Sequence, residues 1–251
     1  MSANRVTWVG HATVLIELGG VRLLTDPLLR PRLGHLRRHG PAPAAGTTQG
    51  IDAVLISHLH LDHLDLPSLK RVPEATRLLV PRGAGGFLGR QGFRAVEELA
   101  AGDRVRVGEL SVTAVPAVHD RRRRPYGGGP EAAALGYVVG GRVYFAGDTD
   151  LFDGMRELRG LDVALIPVWG WGPSLGEGHL DPPAAARAAA LVRPRMAVPI
   201  HWGTFYPRGL ARYKPHRLTD PPLEFAAEVA RLAPDVAVHV LAPGEALRLP
   251  G

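Results

Sequence analysis

The chain has 251 residues, of which 45% are hydrophobic and 22% charged, a balance that excludes a disordered chain and supports one well-buried core. It has no cysteine, which excludes disulfides, a thiol nucleophile, iron–sulfur clusters and thiolate zinc sites; any metal must be held by imidazole and carboxylate. The net charge of +6 rests on 30 basic residues that are almost all arginine, alongside abundant alanine, glycine and proline; GC-rich coding accounts for part of this basicity, so it does not by itself indicate nucleic acid, though a basic surface favours anionic ligands.

Val6–Trp8, Thr13–Leu18 and Val21–Thr25 read as strands, with Gly19-Gly20 as a hairpin turn. Arg30–Gly50 has prolines at 31, 41 and 43 among arginines and no periodicity, so it reads as a loop. Ala53–Ile56 is a short apolar strand running into Ser57-His58, and Pro67–Val72 is a short helix. Arg104–Val107 and Leu110–Val115 form a second hairpin about Gly108-Glu109. Arg121–Pro130 holds Arg121, Arg122, Arg123 and Arg124 followed by Gly127-Gly128-Gly129; it is either a solvated loop or a rim that meets an anionic substrate. Leu135–Val139 and Val143–Ala146 make a third hairpin about Gly140-Gly141, followed by a helix at Phe152–Leu158 and a strand at Val163–Pro167. Ala184–Val192 is the clearest helix, with Asp181 as N-cap and Pro182 in its first turn. Met196–Ile200 is a strand, Leu223–Leu232 a helix with an apolar stripe at Leu223, Ala227, Ala230 and Leu232, and Val236–Leu241 and Ala246–Leu249 close the chain as strands. Two groups of strands with helices interspersed predict two packed sheets flanked by helices. No apolar run reaches membrane-spanning length, because Val163–Gly176 is broken by Pro167, Gly170, Gly172 and Pro173. A strand begins by Arg5 with no signal-peptide core before it, so a cytoplasmic chain with a single domain over 1–251 is expected.

The informative stretch is Ser57-His58-Leu59-His60-Leu61-Asp62-His63, a His-x-His-x-Asp-His pattern directly after an apolar strand. Side chains alternate along extended backbone, so His58, His60 and Asp62 share one side, and a turn after Asp62 brings His63 round to them. Such a cluster needs further ligands to close two metal positions. His119, Asp148 and His201 each stand just beyond a predicted strand and complete a set of imidazoles and carboxylates in which one carboxylate can bridge.

In this order the residues resemble the ligands of the metallo-β-lactamase superfamily. The closer match is to the branch of N-acylphosphatidylethanolamine-hydrolysing phospholipase D and the L-ascorbate-6-phosphate lactonases. It is carried by Val6-Thr7-Trp8-Val9-Gly10-His11-Ala12-Thr13, Leu24-Thr25-Asp26-Pro27, Phe145-Ala146-Gly147-Asp148-Thr149, His179-Leu180-Asp181-Pro182 and His201-Trp202-Gly203-Thr204-Phe205. The resemblance implies an α/β fold, an αββα four-layer sandwich with a dinuclear site at one edge of the sheets. It implies that His58, His60 and His119 hold one metal, that Asp62, His63 and His201 hold the other, and that Asp148 bridges them. It places Asp26 behind a ligand imidazole and His179 over the metals as an acid–base group. His11 is then either a neighbour of the site or a structural histidine. Two divalent ions, with zinc first and manganese or iron as alternatives, would supply hydroxide for hydrolysis. Asp62 would help to orient that hydroxide.

The expected substrate is a small-molecule or lipid-like anionic phosphodiester, with a sugar-phosphate lactone as the alternative. A nuclease is a rival because of Arg121–Arg124, but no aromatic residues interleave with the arginines for base stacking. Gly172-Pro173-Ser174-Leu175-Gly176 fits a nucleophile-elbow pattern, yet Gly176 and Gly178 postpone any helix until after Asp181, which favours a loop over the metal site.

Overall fold

The computed structural model describes residues 4–124, 129–172 and 174–250. The expected glycines at 127 and 128 and the proline at 173 lie outside the described residues. Its strands are β1 (Arg5–Gly10), β2 (Thr13–Leu18), β3 (Val21–Thr25), β4 (Arg32–Leu33), β5 (Leu36–Arg38), β6 (Ala53–Leu55), β7 (Arg77–Pro81), β8 (Val96–Leu99), β9 (Arg104–Val107), β10 (Leu110–Pro116), β11 (Leu135–Val139), β12 (Val143–Phe145), β13 (Val163–Pro167), β14 (Met196–Ile200), β15 (Phe205–Pro207), β16 (Ala237–Val238) and β17 (Ala246–Arg248). The helices are α1 (Leu66–Leu69), α2 (Gly85–Arg90), α3 (Pro182–Val192) and α4 (Asp220–Leu232).

Two seven-stranded sheets result, in the orders β17-β1-β2-β3-β6-β7-β8 and β16-β14-β13-β12-β11-β10-β9. Each mixes antiparallel hairpins with parallel pairs, β3 with β6 and β6 with β7 in the first, β12 with β13 and β13 with β14 in the second. Alternation along the strands sorts their apolar residues into three layers. Leu23 of β3 and Val163 and Leu165 of β13 face the other sheet and join the central layer with Trp8, Ile16, Tyr137 and Phe145. Leu24, Val54 and Val80 face outward and pack under α1 and α2 with Leu69 and Leu88. Ala164 and Ile166 face outward on the opposite side, beneath the alanines of α3 and Phe225 and Val229 of α4. The small side chains of α3 allow it to lie close on the sheet. This is the metallo-β-lactamase architecture of two sheets between helical layers.

Asp181 caps α3 by accepting the Ala184 N–H at 2.8 Å, as its position before Pro182 predicts. Several local expectations need correction. Arg30–Gly50 is not wholly loop: Arg32–Arg38 forms the β4–β5 hairpin, which β15 extends into a small third sheet. Its strands are too short and too rich in arginine to show a period. The strands β7 and β8 were not anticipated, since β7 is a brief buried parallel strand and β8 is an edge strand with two consecutive glutamates. Phe152–Leu158 is a 3₁₀ turn over Asp153–Glu157. The buried face of α4 is Pro221, Pro222, Phe225 and Val229, not the expected stripe; Leu223 is 60% exposed. The bulk of Phe225 claims the inward face, with Val229 one turn on. Among the described residues, no helix is long and apolar enough to cross a membrane.

Candidate metal centre

The strand ends of both sheets converge on one edge. β6 delivers Ser57 and His58, β10 leads to His119, β12 to Asp148 and β14 to His201. The turn that follows β12 demands glycine at 147. Its φ is +62°, and an added Cβ would lie 2.5 Å from the Ser57 Cβ, so only a bare backbone lets Asp148 approach the histidine loop. Tyr137 of the second sheet donates its hydroxyl to the Ile56 carbonyl at 2.8 Å, tying that loop to the sheet opposite.

Asp26 stands behind the cluster, fully buried. One of its oxygens accepts the Ser57 N–H at 2.7 Å; the other accepts the Ser57 hydroxyl and the His63 Nδ1–H, the latter at 2.7 Å. The Ser57 hydroxyl in turn lies 3.0 Å from His58 Nδ1. His119 Nδ1 is held by the Gly178 carbonyl at 2.6 Å and His201 Nδ1 by the Trp169 carbonyl at 3.0 Å. With each Nδ1 used as a donor, the Nε2 lone pairs of His58, His63, His119 and His201 are left for another partner.

Those nitrogens are brought together. His58, His60 and His119 form one group, and His63, His201 and Asp62, with His11, form a second; within each group the ligand atoms lie within 4.8 Å of one another. His119 Nε2 is 3.0 Å from His60 Nδ1, and His63 Nε2 is 3.1 Å from His201 Nε2. Asp148 lies against both groups, with Oδ2 at 3.2 Å from His63 Nε2 and 3.4 Å from His201 Nε2, and it also clusters with His119. His58 Nε2 and Asp148 Oδ1 are buried and have no hydrogen-bond partner in the protein. Buried polar atoms without partners are costly, and here they point to a cation. The residues present therefore fit two metal ions, and a set of imidazoles and carboxylates suits zinc, manganese or iron.

Burial pulls the His58 and His60 imidazoles down from their ordinary range and sets His119 at about 4. Burial also pulls on His63 and His201, but Asp148 and Asp62 outweigh it and hold both rings above the usual value. Asp62 and Asp148 are held well below the carboxylate range: burial pushes them up, and the surrounding imidazoles more than reverse it.

The structure brings all seven predicted ligands, His58, His60, Asp62, His63, His119, Asp148 and His201, to one place. His179 lies beside them, with its ring 4.7 Å from that of His119, its Nδ1 on the Gly176 and Glu177 carbonyls and its Nε2 3.6 Å from Asp148 Oδ2. His11 is not remote either: it is buried, with Nε2 donating to Asp62 Oδ2 at 3.0 Å. Two members of the arginine run are engaged within the protein, while Arg121 and Arg124 are exposed. Arg122 pairs with Asp120, and Arg123 is buried, donating to the Leu59 and Leu64 carbonyls. Arg123 thus braces the histidine loop from behind.

Above the cluster opens a cavity of about 490 Å³. His60, Asp62, Asp148, His179 and His201 line its floor, and Leu33, Leu36, Leu61, Trp171 and Leu175 its walls. Ser174 lines it too, on a loop that starts no helix before Pro182, so the segment is a wall of the cavity and not a nucleophile elbow. The β4–β5 contribution to this wall escaped the sequence reading; Gly34, in a left-handed turn at φ +54°, was its one local signal.

A model of the beta-lactamase superfamily domain matches residues 21–202. A UPF0173 metal-dependent hydrolase of Methanopyrus kandleri is 36% identical, covering 96% of this chain and 98% of that protein. An N-acyl-phosphatidylethanolamine-hydrolyzing phospholipase D of Caenorhabditis elegans is 32% identical, covering 82% of this chain and 65% of that protein. Among solved structures, a metallo hydrolase from Ignicoccus hospitalis superposes over the full length of both chains with a TM-score of 0.73 at 24% identity, which shows the fold. With its paired His/Asp clusters at the edge of that fold, the chain belongs to the metallo-β-lactamase superfamily and is a metal-dependent hydrolase.

Proposed function

We propose that the chain cleaves a phosphodiester that carries an apolar substituent, using two divalent ions, zinc in the first instance. The observation that carries this reading is the contrast between floor and wall. The floor gathers imidazoles and carboxylates, whereas the wall is mainly aliphatic and aromatic, with His35 and Ser174 beside these, and the one arginine among its described residues, Arg123, is turned to backbone carbonyls. The volume suits a small-molecule ligand or one part of a larger one. Bound divalent ions supply Lewis acidity toward a phosphoryl oxygen and hydroxide at neutral pH. Asp62 would accept a hydrogen bond from the hydroxide and so orient it, and His179 faces the opening, where its Nε2 would protonate a leaving-group oxygen. A diester has one fewer negative charge than a monoester, which suits a wall whose one arginine among the described residues is turned to backbone carbonyls. The relative that hydrolyses N-acylphosphatidylethanolamine supports the same bond type. Arg122 and Arg123 are committed within the protein, which weighs against a nucleic-acid substrate.

The same wall admits an uncharged lactone, and it weighs against a lactone bearing its own phosphate. The test is a rate comparison for metal-reconstituted protein on bis(4-nitrophenyl) phosphate, 4-nitrophenyl phosphate, an alkyl lactone and vesicles containing N-acylphosphatidylethanolamine. Faster turnover of the diesters is expected. A lactone turned over far better than either diester would move the assignment to lactone hydrolysis.

A further inference from the structure

His11 belongs to the turn between β1 and β2, on the first sheet, yet every polar contact recorded for it reaches across the site or braces the turn itself. Its N–H donates to the Thr204 hydroxyl at 2.8 Å. Its carbonyl accepts the His201 N–H at 3.0 Å and the Trp8 indole N–H at 2.8 Å. Its Nε2–H donates to Asp62 Oδ2 at 3.0 Å, and its ring lies 4.0 Å from that of His201. Trp8 stacks on Trp202, the residue after His201, at 4.9 Å.

The backbone here is strained in a telling pattern. Among the described residues, four that are not glycine have positive φ: His11 at +57°, Asp26 at +32°, His201 at +62° and Arg193 at +48°. The last ends helix α3, and the other three surround the candidate metal centre. Left-handed backbone at a side chain of this size persists only where surrounding contacts enforce it, and such strain gathers at functional sites. Gly10 permits the turn: its φ is +123°, and an added Cβ would lie 2.9 Å from both Arg38 and Thr204. The turn is therefore pressed against the segment that carries His201.

We infer that His11 is a positioning residue, whose Nε2–H fixes the Asp62 carboxylate and whose carbonyl fixes His201, so that both meet one metal ion in register. This rests on the two-metal reading of the cluster. His11 itself donates no lone pair to the ion: its Nε2 carries the proton given to Asp62. Partners of this kind behind a ligand typically affect metal affinity by about 10–100-fold.

The test is a chelator-competition titration of zinc and cobalt on the wild-type protein, His11→Ala and His11→Gln. The glutamine amide keeps a donor near the place of Nε2–H, and both variants bear the same left-handed backbone. In His11→Ala, one of the two ions should weaken by about 10–100-fold while the other is unchanged. His11→Gln should recover most of that loss and keep the wild-type cobalt absorption spectrum. Wild-type affinities for both ions in His11→Ala, or an equal loss at both, would overturn the inference, and so would a cobalt spectrum in His11→Gln that reports a changed ligand. Should His11→Ala fail to fold, nitrogen-15 NMR of the cadmium-loaded wild-type protein decides: His11 should show a protonated Nε2 and no coupling to cadmium-113. Coupling at His11 would make it a ligand and overturn the positioning role. A wild-type protein that takes up no metal would instead sink the two-metal reading itself.

Discussion

His63 and His201 point their Nε2 atoms at one another across 3.1 Å. Each ring is fixed from behind, His63 by the Asp26 carboxylate and His201 by the Trp169 carbonyl. Two neutral rings so held would oppose two lone pairs, an arrangement that needs a positive species beside it. A bound metal ion would supply that species. In metal-free protein it is a proton, which is why Asp148 and Asp62 can hold both imidazoles above their ordinary range despite full burial.

A pH dependence follows, and its sign differs between the two groups. Metal ligation requires neutral imidazole. His63 and His201 have raised values, so a metal entering their position displaces protons, and its affinity falls as pH falls through those values. His58, His60 and His119 are lowered by burial, His119 to about 4, so they are already neutral near pH 7. As pH falls toward acid, the position of Asp62, His63 and His201 should weaken, by at most about tenfold per pH unit for each proton displaced, and more steeply than the position of His58, His60 and His119. Competition titrations at several pH values check this; equal slopes at both positions would refute it.

Arg123 should matter to stability more than to substrate affinity. Its guanidinium satisfies the Leu59 and Leu64 carbonyls and lies 4.8 Å from the centre of the Phe87 ring. Arg123→Ala leaves buried carbonyls without a donor, at a cost of about 1–3 kcal/mol. For a chain of this length Tm should fall by roughly 2–10 °C. Arg121→Ala, at an exposed position, should leave Tm unchanged. Calorimetric scans of the two variants suffice, and equal Tm values for Arg123→Ala and wild type would remove the bracing role.

That the seven candidate ligands gather in one place was legible because metal chemistry constrains residue type and spacing together. His-x-His-x-Asp-His after an apolar strand has few other uses, and His119, Asp148 and His201 follow strands whose apolar runs are plain. The two-sheet plan was legible for a related reason: hairpins such as that at Gly140-Gly141 announce themselves through their turns. What stayed hidden depends on contacts distant in sequence. Arg123 turns inward because carbonyls 59 residues or more away need a donor, which a run of four arginines cannot reveal. The β4–β5 hairpin gains its order from β15, far along the chain, and only then forms a cavity wall. The face of α4 was misjudged because packing of Phe225 overrode the weaker pattern of leucines and alanines.

Asp148 lies against both groups from the cavity side, whereas Asp26 reaches them from behind, so loss of Asp148 should disturb both ions. Asp148→Ala should lower zinc content after dialysis from about two ions per chain to less than one. Asp26→Ala acts from behind instead, freeing the His63 Nδ1 and the Ser57 hydroxyl, and should weaken binding without abolishing it. Elemental analysis separates the two, and retention of both ions by Asp148→Ala would exclude a bridging role.

His179 is surplus to the seven ligands, and its surroundings fit chemistry on the substrate. Its Nδ1 faces the Gly176 and Glu177 carbonyls, which fixes the ring and leaves Nε2 directed toward Asp148 and the cavity. It is partly exposed where the ligand histidines are mostly sealed, as a group that meets substrate must be. The ring also packs edge-on to His119, so a purely structural role would show itself as altered metal binding. His179→Ala should keep its metal content and its Tm while kcat falls by about 10²–10⁴-fold, the range for a positioned acid–base group. The fall should be smaller on a diester with a good leaving group, such as bis(4-nitrophenyl) phosphate, than on an alkyl diester, because 4-nitrophenolate departs without protonation. A lost ion would make His179 a ligand, and equal losses on the two diesters would assign it to substrate binding in place of proton transfer.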